Sequence, residues 1–271
     1  MPDHLSGSTA VVTGAAQGLG LAIAAQLAHN GATTILADIQ ADKADREAAA
    51  LREAGLAAHG AHLDVADSRA VTAFFEDVAN KHGRLDILVN NAGNSQTLAP
   101  VTGLSDEEWH RVLNVTLHGT FYCCRAGGAI MERQESGCIV NIASINGQNP
   151  AALVASYNVA KAGVIMLTRS LALELAAYGI RVNAVCPGPV YTEFNKKVMA
   201  QRAQSLNITE EQMVENVRRA ISLGRWGEPE DIAQMVAFLC SPAASWITGE
   251  VYRVSGGMAG LAVAPPRRAR S

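Results

Sequence analysis

Short apolar runs rich in β-branched residues alternate along the chain with longer stretches whose apolar positions recur every three or four residues. The first spacing is that of a strand and the second that of a helix. Strands are therefore expected at "TAVVTG" (9–14), "TTILAD" (33–38), "HGAHLDV" (59–65), "DILVNNAG" (86–93), "CIVNIAS" (138–144), "IRVNAVCPG" (180–188) and "GEVYRVSGG" (249–257). Helices are expected over about 18–30, 42–54 and 68–82, each followed by a glycine (Gly31, Gly55, Gly83) that can close it. Ser105 with Glu108 predicts a capping box that starts one long helix reaching about residue 130. Thr209 with Gln212 predicts a second box, and Pro229 opens a helix over about 229–240.

Strand–helix–strand units with crossovers of this length give parallel strands with helices on both faces. The expected architecture is α/β, one doubly wound parallel sheet of about seven strands, with residues 1–263 as a single domain. The Pro-rich basic end "APPRRARS" (264–271) is expected to be a disordered tail.

One helical run, "AALVASYNVAKAGVIMLTRSLALELAAYG" (151–179), interrupts its apolar character with Tyr157 and Lys161. Residues four apart share a helix face, so a phenol and an ammonium lie side by side. Alone, such a pair is usually a surface tyrosine and a snorkelling lysine. Only the rest of the chain can make it chemistry.

Composition narrows the field without deciding it. The chain has 271 residues, 49% hydrophobic and 17% charged, with a formal net charge of −3, ordinary for a globular protein and giving no electrostatic case for nucleic acid or an anionic membrane. The opening "MPDHLSGSTA" lacks a basic-then-apolar leader, and a cytoplasmic location is expected. Cys123, Cys124, Cys138, Cys186 and Cys240 are odd in number and lack C-x-x-C spacing, and the histidines form no H-x-x-x-H pair. Buried reduced thiols are expected, and no metal site.

"TGAAQGLG" (13–20) follows the first strand and opens the first helix. Gly14, Gly18 and Gly20 allow a tight turn and close approach of a ligand, and the helix N-terminus beyond them presents N–H groups and a positive dipole end to a pyrophosphate. That strand–turn–helix placement is the Rossmann-like arrangement. Asp38 ends the second strand at the offset where an acid bonds an adenosine ribose, and it would repel a 2′-phosphate. Gln17 brings no positive charge to hold one. NAD is the expected cofactor.

With these pieces the chain resembles the short-chain dehydrogenase/reductase family from about Leu5 to Gly260. The motifs are "TGAAQGLG", "LDV" (63–65), "NNAG" (90–93), Asn114 in "VLNVTLHGTF", Ser144 after "IVNIA", Tyr157 with Lys161, and "PGPVYT" (187–192). The resemblance implies a cofactor site of Gly14, Gln17, Gly18, Leu19, Gly20 and Asp38. Asp64 and Val65 would lie at the adenine, Asn91, Ala92 and Gly93 along the adenosine side, and Pro187, Gly188, Val190 and Thr192 around the nicotinamide. It implies Tyr157 as general acid/base, Lys161 as its activator and ribose ligand, Ser144 as the holder of substrate oxygen, and Asn114 as the anchor of a water near Lys161. A free phenol keeps its proton to about pH 10, so a nearby ammonium is expected to lower its pKa.

Substrate contacts are expected from Ser144, Asn146, Gln148 and Tyr157, with Asn94, Ser95 and Gln96 on the same rim and a charged amphipathic lid near 195–220. That polar rim favours a polyol, sugar or other hydroxylated secondary alcohol, interconverted with its ketone. A 3-oxoacyl thioester reductase of the same family and a catalytically silent NAD-binding protein are the alternatives. The small and apolar residues Ala152, Ala155, Val159, Ala162, Gly163, Met166, Ser170 and Leu173, with Val112, Thr116, Tyr122 and Cys123, predict pairing of two helices with their copies about a two-fold axis. The resemblance points the same way, and a second interface at the terminal strand would make a homotetramer.

Overall fold

The computed structural model describes residues 4–260. The basic tail at 264–271 lies outside them. Strands β1 (Thr9–Thr13), β2 (Thr33–Asp38), β3 (Ala58–His62), β4 (Ile87–Asn90), β5 (Gly137–Ile142), β6 (Ile180–Pro187) and β7 (Val251–Val254) form one sheet in the order β3-β2-β1-β4-β5-β6-β7. Every pairing is parallel. Strand order reverses on either side of β1, and a crevice opens there at the carboxyl ends of the strands, where such sheets bind ligands.

Period-two alternation sends successive residues to opposite faces. Val12, Leu36 and Val140 pack with helices α1 (Gly18–His29), α2 (Ala41–Glu53) and α10 (Pro229–Cys240), through Ile23, Leu27, Ala44 and Val236. Val11, Ile35 and Ile139 point the other way, onto α3 (Ser68–His82), α5 (Gly119–Gln134) and α7 (Ala155–Leu175), through Phe75, Cys124, Met131 and Leu175. The five cysteines are buried and free, as expected, and burial pushes the Cys124 thiol up to about 12.

The single long helix expected after Ser105 is broken. Helix α4 (Asp106–Leu113) passes into a π-helical turn, Asn114–His118, before α5 continues. Such insertions rotate the residues beyond them and occur mostly at functional sites. The capping box is also half made. Ser105 accepts from Glu108 N, but the Glu108 carboxylate turns to Thr97 N (2.7 Å) and Arg111, which holds its pKa down at about 2. The box at Thr209 and Gln212 is complete.

Three further helices surround the crevice. A short α6 (Ile145–Gln148) follows β5, and α8 (Glu193–Leu206) with α9 (Glu210–Ala220) form a hairpin beyond β6. Met199, Ala203, Met213 and Val217 from that hairpin build a separate small core with Ile145, Trp226 and Met258. It covers the crevice as the lid expected there. No helix among the described residues is long and apolar enough to cross a membrane.

Candidate active site

A cleft of about 640 Å³ runs from Asp38 across the sheet's carboxyl edge to the underside of the lid. At one end, Gly14 has φ +63, and a Cβ there would stand 2.9 Å from Ala92 Cα. Gly20 packs against Gly14 O and Asn91, so it shapes the turn without lining the cleft. The Asn91 amide donates to Thr13 O and Gly14 O, both 3.0 Å, and so clamps the glycine turn. Gln17, at the start of α1, makes no side-chain capping bond. The first-turn N–H groups therefore lack a side-chain partner and are available to the pyrophosphate of a dinucleotide.

Both Asp38 oxygens are placed by backbone N–H groups, from Ala16 (3.0 Å) and Gln40 (2.9 Å), which fixes the carboxylate at the end of β2 beside the cleft. Asp64 is held similarly by Ala66 N (2.9 Å). Gln17, Gly18, Leu19, Val65, Ala92, Gly93, Pro187, Gly188, Val190 and Thr192 line the same cleft. The residues present fit a nicotinamide dinucleotide. One group escaped sequence reasoning: Lys43, on α2, donates to Gln17 Oε1 at 2.6 Å. Twenty-six positions separate the two, and only the β2–α2 turn brings this cation to the adenosine end.

In the middle of the cleft, Ser144 caps α6, accepting from Asn146 N at 3.1 Å. Tyr157 and Lys161 come from the first turns of α7, as their spacing implied. Lys161 is buried, and its Nζ donates to Ile142 O at 2.6 Å while lying 5.9 Å from the Tyr157 ring centre. Burial draws the Lys161 ammonium down to about 8. Burial also raises the Tyr157 phenol above its ordinary value, with Ser144 opposing. The lowering expected from Lys161 does not prevail: loss of water is the largest influence on the phenol, the opposing bond comes from Ser144, and the ammonium is directed to the Ile142 carbonyl. At neutral pH the site holds a protonated phenol, ready to donate to a ketone oxygen.

Three expected contacts are corrected. Asn114 is exposed and bonds His118 Nδ1 at 3.0 Å, away from the cleft. The π turn instead buries Thr116, whose Oγ1 accepts from Asn94 N (3.1 Å). A Cβ built on Gly93 would lie 3.5 Å from Thr116 Oγ1 and 3.6 Å from Lys161 Nζ, so these two polar groups border one small space. The sequence held a signal for this. Val112, Thr116 and Cys123 recur at helical spacing as a buried stripe, and Asn114 falls off it. The same burial removes Val112, Thr116 and Cys123 from any subunit interface. Asn114→Ala is expected to change kcat/KM less than threefold, whereas Thr116→Val should lower it by about tenfold, the small end of a lost buried hydrogen bond; steady-state rates of the two variants check this.

Gln148 is exposed and outside the cleft, because α6 directs Asn146 inward and Gln148 outward. Gln96 lines the cleft, but its carbonyl accepts from Ser156 N and Oγ while its amide donates to Leu153 O. Asn94 and Asn146 supply backbone N–H groups to Thr116 and Ser144. With Gln148 outside and the Gln96 amide engaged, the polar side chains left to the rim are chiefly those of Asn94 and Asn146.

A glycine turn at a helix N-terminus and a serine, tyrosine and lysine meeting in one cleft define an oxidoreductase acting on CH–OH groups. Comparison with known proteins agrees. The family described as Enoyl-(Acyl carrier protein) reductase matches residues 14–259. Cis-4-hydroxycyclohexanecarboxylate dehydrogenase of Sinomonas cyclohexanicum is 39% identical over 95% of this chain and 98% of its own. The 3-oxoacyl-[acyl-carrier-protein] reductase of Aquifex aeolicus is 37% identical over 95% of this chain and 100% of its own. The solved structure of NAD+-bound xylitol dehydrogenase superposes with a TM-score of 0.90 at 31% identity, covering 93% of this chain and 99% of that one. The chain belongs to the short-chain dehydrogenase/reductase family.

Proposed function

We propose that the protein is an NAD-preferring dehydrogenase that interconverts a secondary alcohol of a small hydroxylated molecule and its ketone, with Tyr157 as general acid/base. The convergence of Ser144, Tyr157 and Lys161 in the cleft that begins at Asp38 carries this reading. Relatives named for a hydroxycyclohexane acid and a structural neighbour named for xylitol act on ring or chain carbinols, which supports the substrate class.

Bound NAD+ supplies the hydride acceptor. Gly14, Gly18 and the α1 N-terminus would hold its pyrophosphate, Asp38 its adenosine ribose, and Lys161 the ribose beside the reacting ring. The Ser144 hydroxyl holds the substrate oxygen next to Tyr157. In oxidation the phenolate takes the hydroxyl proton as the carbon gives up hydride; in reduction the phenol returns it. The lid limits access of water to that exchange.

Asp38 supports a preference for NAD(H) of at least about tenfold in kcat/KM, near 1.4 kcal/mol. Lys43 is the one feature that favours a 2′-phosphate, and with it the thioester-reductase reading. A spectrophotometric panel of secondary alcohols and 3-oxoacyl thioesters with each cofactor separates the two; better rates with NADP(H) would reverse the cofactor assignment. Asp38→Ala should erode the preference.

The subunit arrangement is proposed as a dimer paired through α7, with a second interface at the terminal strand completing a tetramer. Val159, Met166 and Leu173 lie seven residues apart on one face and are 47%, 59% and 84% exposed, with Phe121 of α5 exposed at 40%. Apolar stripes of this extent mark interfaces, and self-pairing about a two-fold axis covers both copies at once. Light scattering should give a multiple of 28.5 kDa; a monomer would count against it.

A further inference from the structure

Arg202 lies on α8 where the lid covers the cleft. Its Nε is buried with no hydrogen-bond partner, and among the described residues its guanidinium makes no ion pair and no side-chain hydrogen bond. Other lid arginines are satisfied: Arg218 and Arg219 pair with Glu215 at 2.6 and 2.8 Å. Arg202 as a whole is half-buried, and leaving its Nε dry and unpaired is costly, with no group among the described residues offsetting that cost. Desolvation accordingly pushes its pKa below the ordinary arginine value.

Among the described residues lining the cleft, Lys161 and Arg202 are the only cations. The three lining carboxylates do not pair with Arg202. Asp38 and Asp64 stand at the adenosine end, held by backbone N–H groups, and Glu193 bonds Lys196 at 2.6 Å. Its backbone also stands well beyond the glycine turn that would hold the dinucleotide phosphates. Thr192, beside Gly18 at the glycine turn, precedes Arg202 by ten residues, or about 15 Å of helix rise.

Arg202 shares its helix face with Val198 and Phe194, one and two turns nearer the reaction centre, and the Phe194 ring lies 6.3 Å from that of Tyr157. Helical side chains lean toward the N-terminus, so the guanidinium leans back along the cleft toward Tyr157. Val198, Met199 and Val217 give the same cleft apolar wall. A planar, unpaired guanidinium at the end of an apolar passage matches a carboxylate through two parallel hydrogen bonds.

We propose that Arg202 binds a carboxylate on the substrate, so that the reacting molecule is a hydroxy or oxo acid whose acid group is separated from the carbinol by an apolar stretch. This rests on the dehydrogenase reading above and names its substrate class.

The test uses 5-hydroxyhexanoate, its methyl ester and 2-hexanol, with 5-oxohexanoate binding to the NAD+-loaded protein as a readout that needs no turnover. The wild type should favour the acid over the ester by at least about tenfold in kcat/KM, mainly through KM, the scale of a charged hydrogen bond. Arg202→Met should bring that ratio close to one and weaken 5-oxohexanoate binding at least tenfold, and Arg202→Lys should restore part of both. Circular dichroism melts establish that the variants are folded. Equal use of acid and ester by the wild type, equal 5-oxohexanoate binding by Arg202→Met, or tighter binding of a phosphate monoester of similar length would overturn the assignment. If 5-oxohexanoate binds through Arg202 but no alcohol or ketone is turned over, the carboxylate site stands and the dehydrogenase reading falls.

Discussion

Replacing Tyr157 by phenylalanine is expected to lower kcat by at least about a hundredfold in both directions, while thermal stability changes little. The ring keeps its packing beside Phe194, and only the hydroxyl beside Ser144 is lost. Activity within a few fold of the wild type would remove Tyr157 from the chemistry. The pH dependence of the unmodified enzyme tests the same assignment from another side. Burial raises the phenol's pKa, so across the neutral range only a small fraction is phenolate, and that fraction grows tenfold per pH unit. Alcohol oxidation should therefore rise with pH, with a slope approaching one in log kcat/KM. Lys161, drawn down to about 8, loses its proton in the same range, so the rise should flatten above that pH as the ribose-binding charge disappears. Ketone reduction uses the phenol and the ammonium together. It should be level below about pH 8 and decline above it. Parallel pH profiles for the two directions would contradict this division of roles.

A second large effect is expected from Gly20→Ala, a change of one methyl group. The added Cβ meets Gly14 O and would lie 2.5 Å from Asn91 Nδ2, the amide that clamps the turn. Gly14 backbone on one side and the hydrogen-bonded Asn91 amide on the other crowd the methyl, so the turn must shift and the α1 N-terminus with it. Dinucleotide affinity should fall by at least about a hundredfold, since phosphate binding here depends on backbone N–H groups being in place. Calorimetric titration with NAD+ measures it directly. Retained affinity would show that the turn yields more easily than its contacts imply.

The sheet and its two helical layers could be read from the chain because period-two and period-3.6 spacing is local information and burial enforces it. Tyr157 and Lys161 were legible for the same reason: a four-residue spacing inside a helix fixes their relation before any tertiary contact forms. The glycine turn between β1 and α1 was legible because backbone conformation there depends on residue type. Tertiary structure decided what spacing could not carry. One inserted residue's worth of π turn put Thr116, and not Asn114, inside the fold beside Gly93, and no local rule places such a turn. The amide of Gln96 looked available to substrate until the chain brought Ser156 and Leu153 to it from about sixty positions away. Lys43 and Gln17 met only across the β2–α2 connection. The phenol's pKa followed from burial and from the direction of the Lys161 hydrogen bond, neither of which a sequence displays. Arg202 was one of several charges on an amphipathic lid, most of which find partners a turn away on their own helix. That it found none among the described residues was decided by how α8 settles over the cleft, which leaves Arg202 lining it with a buried, unpartnered Nε.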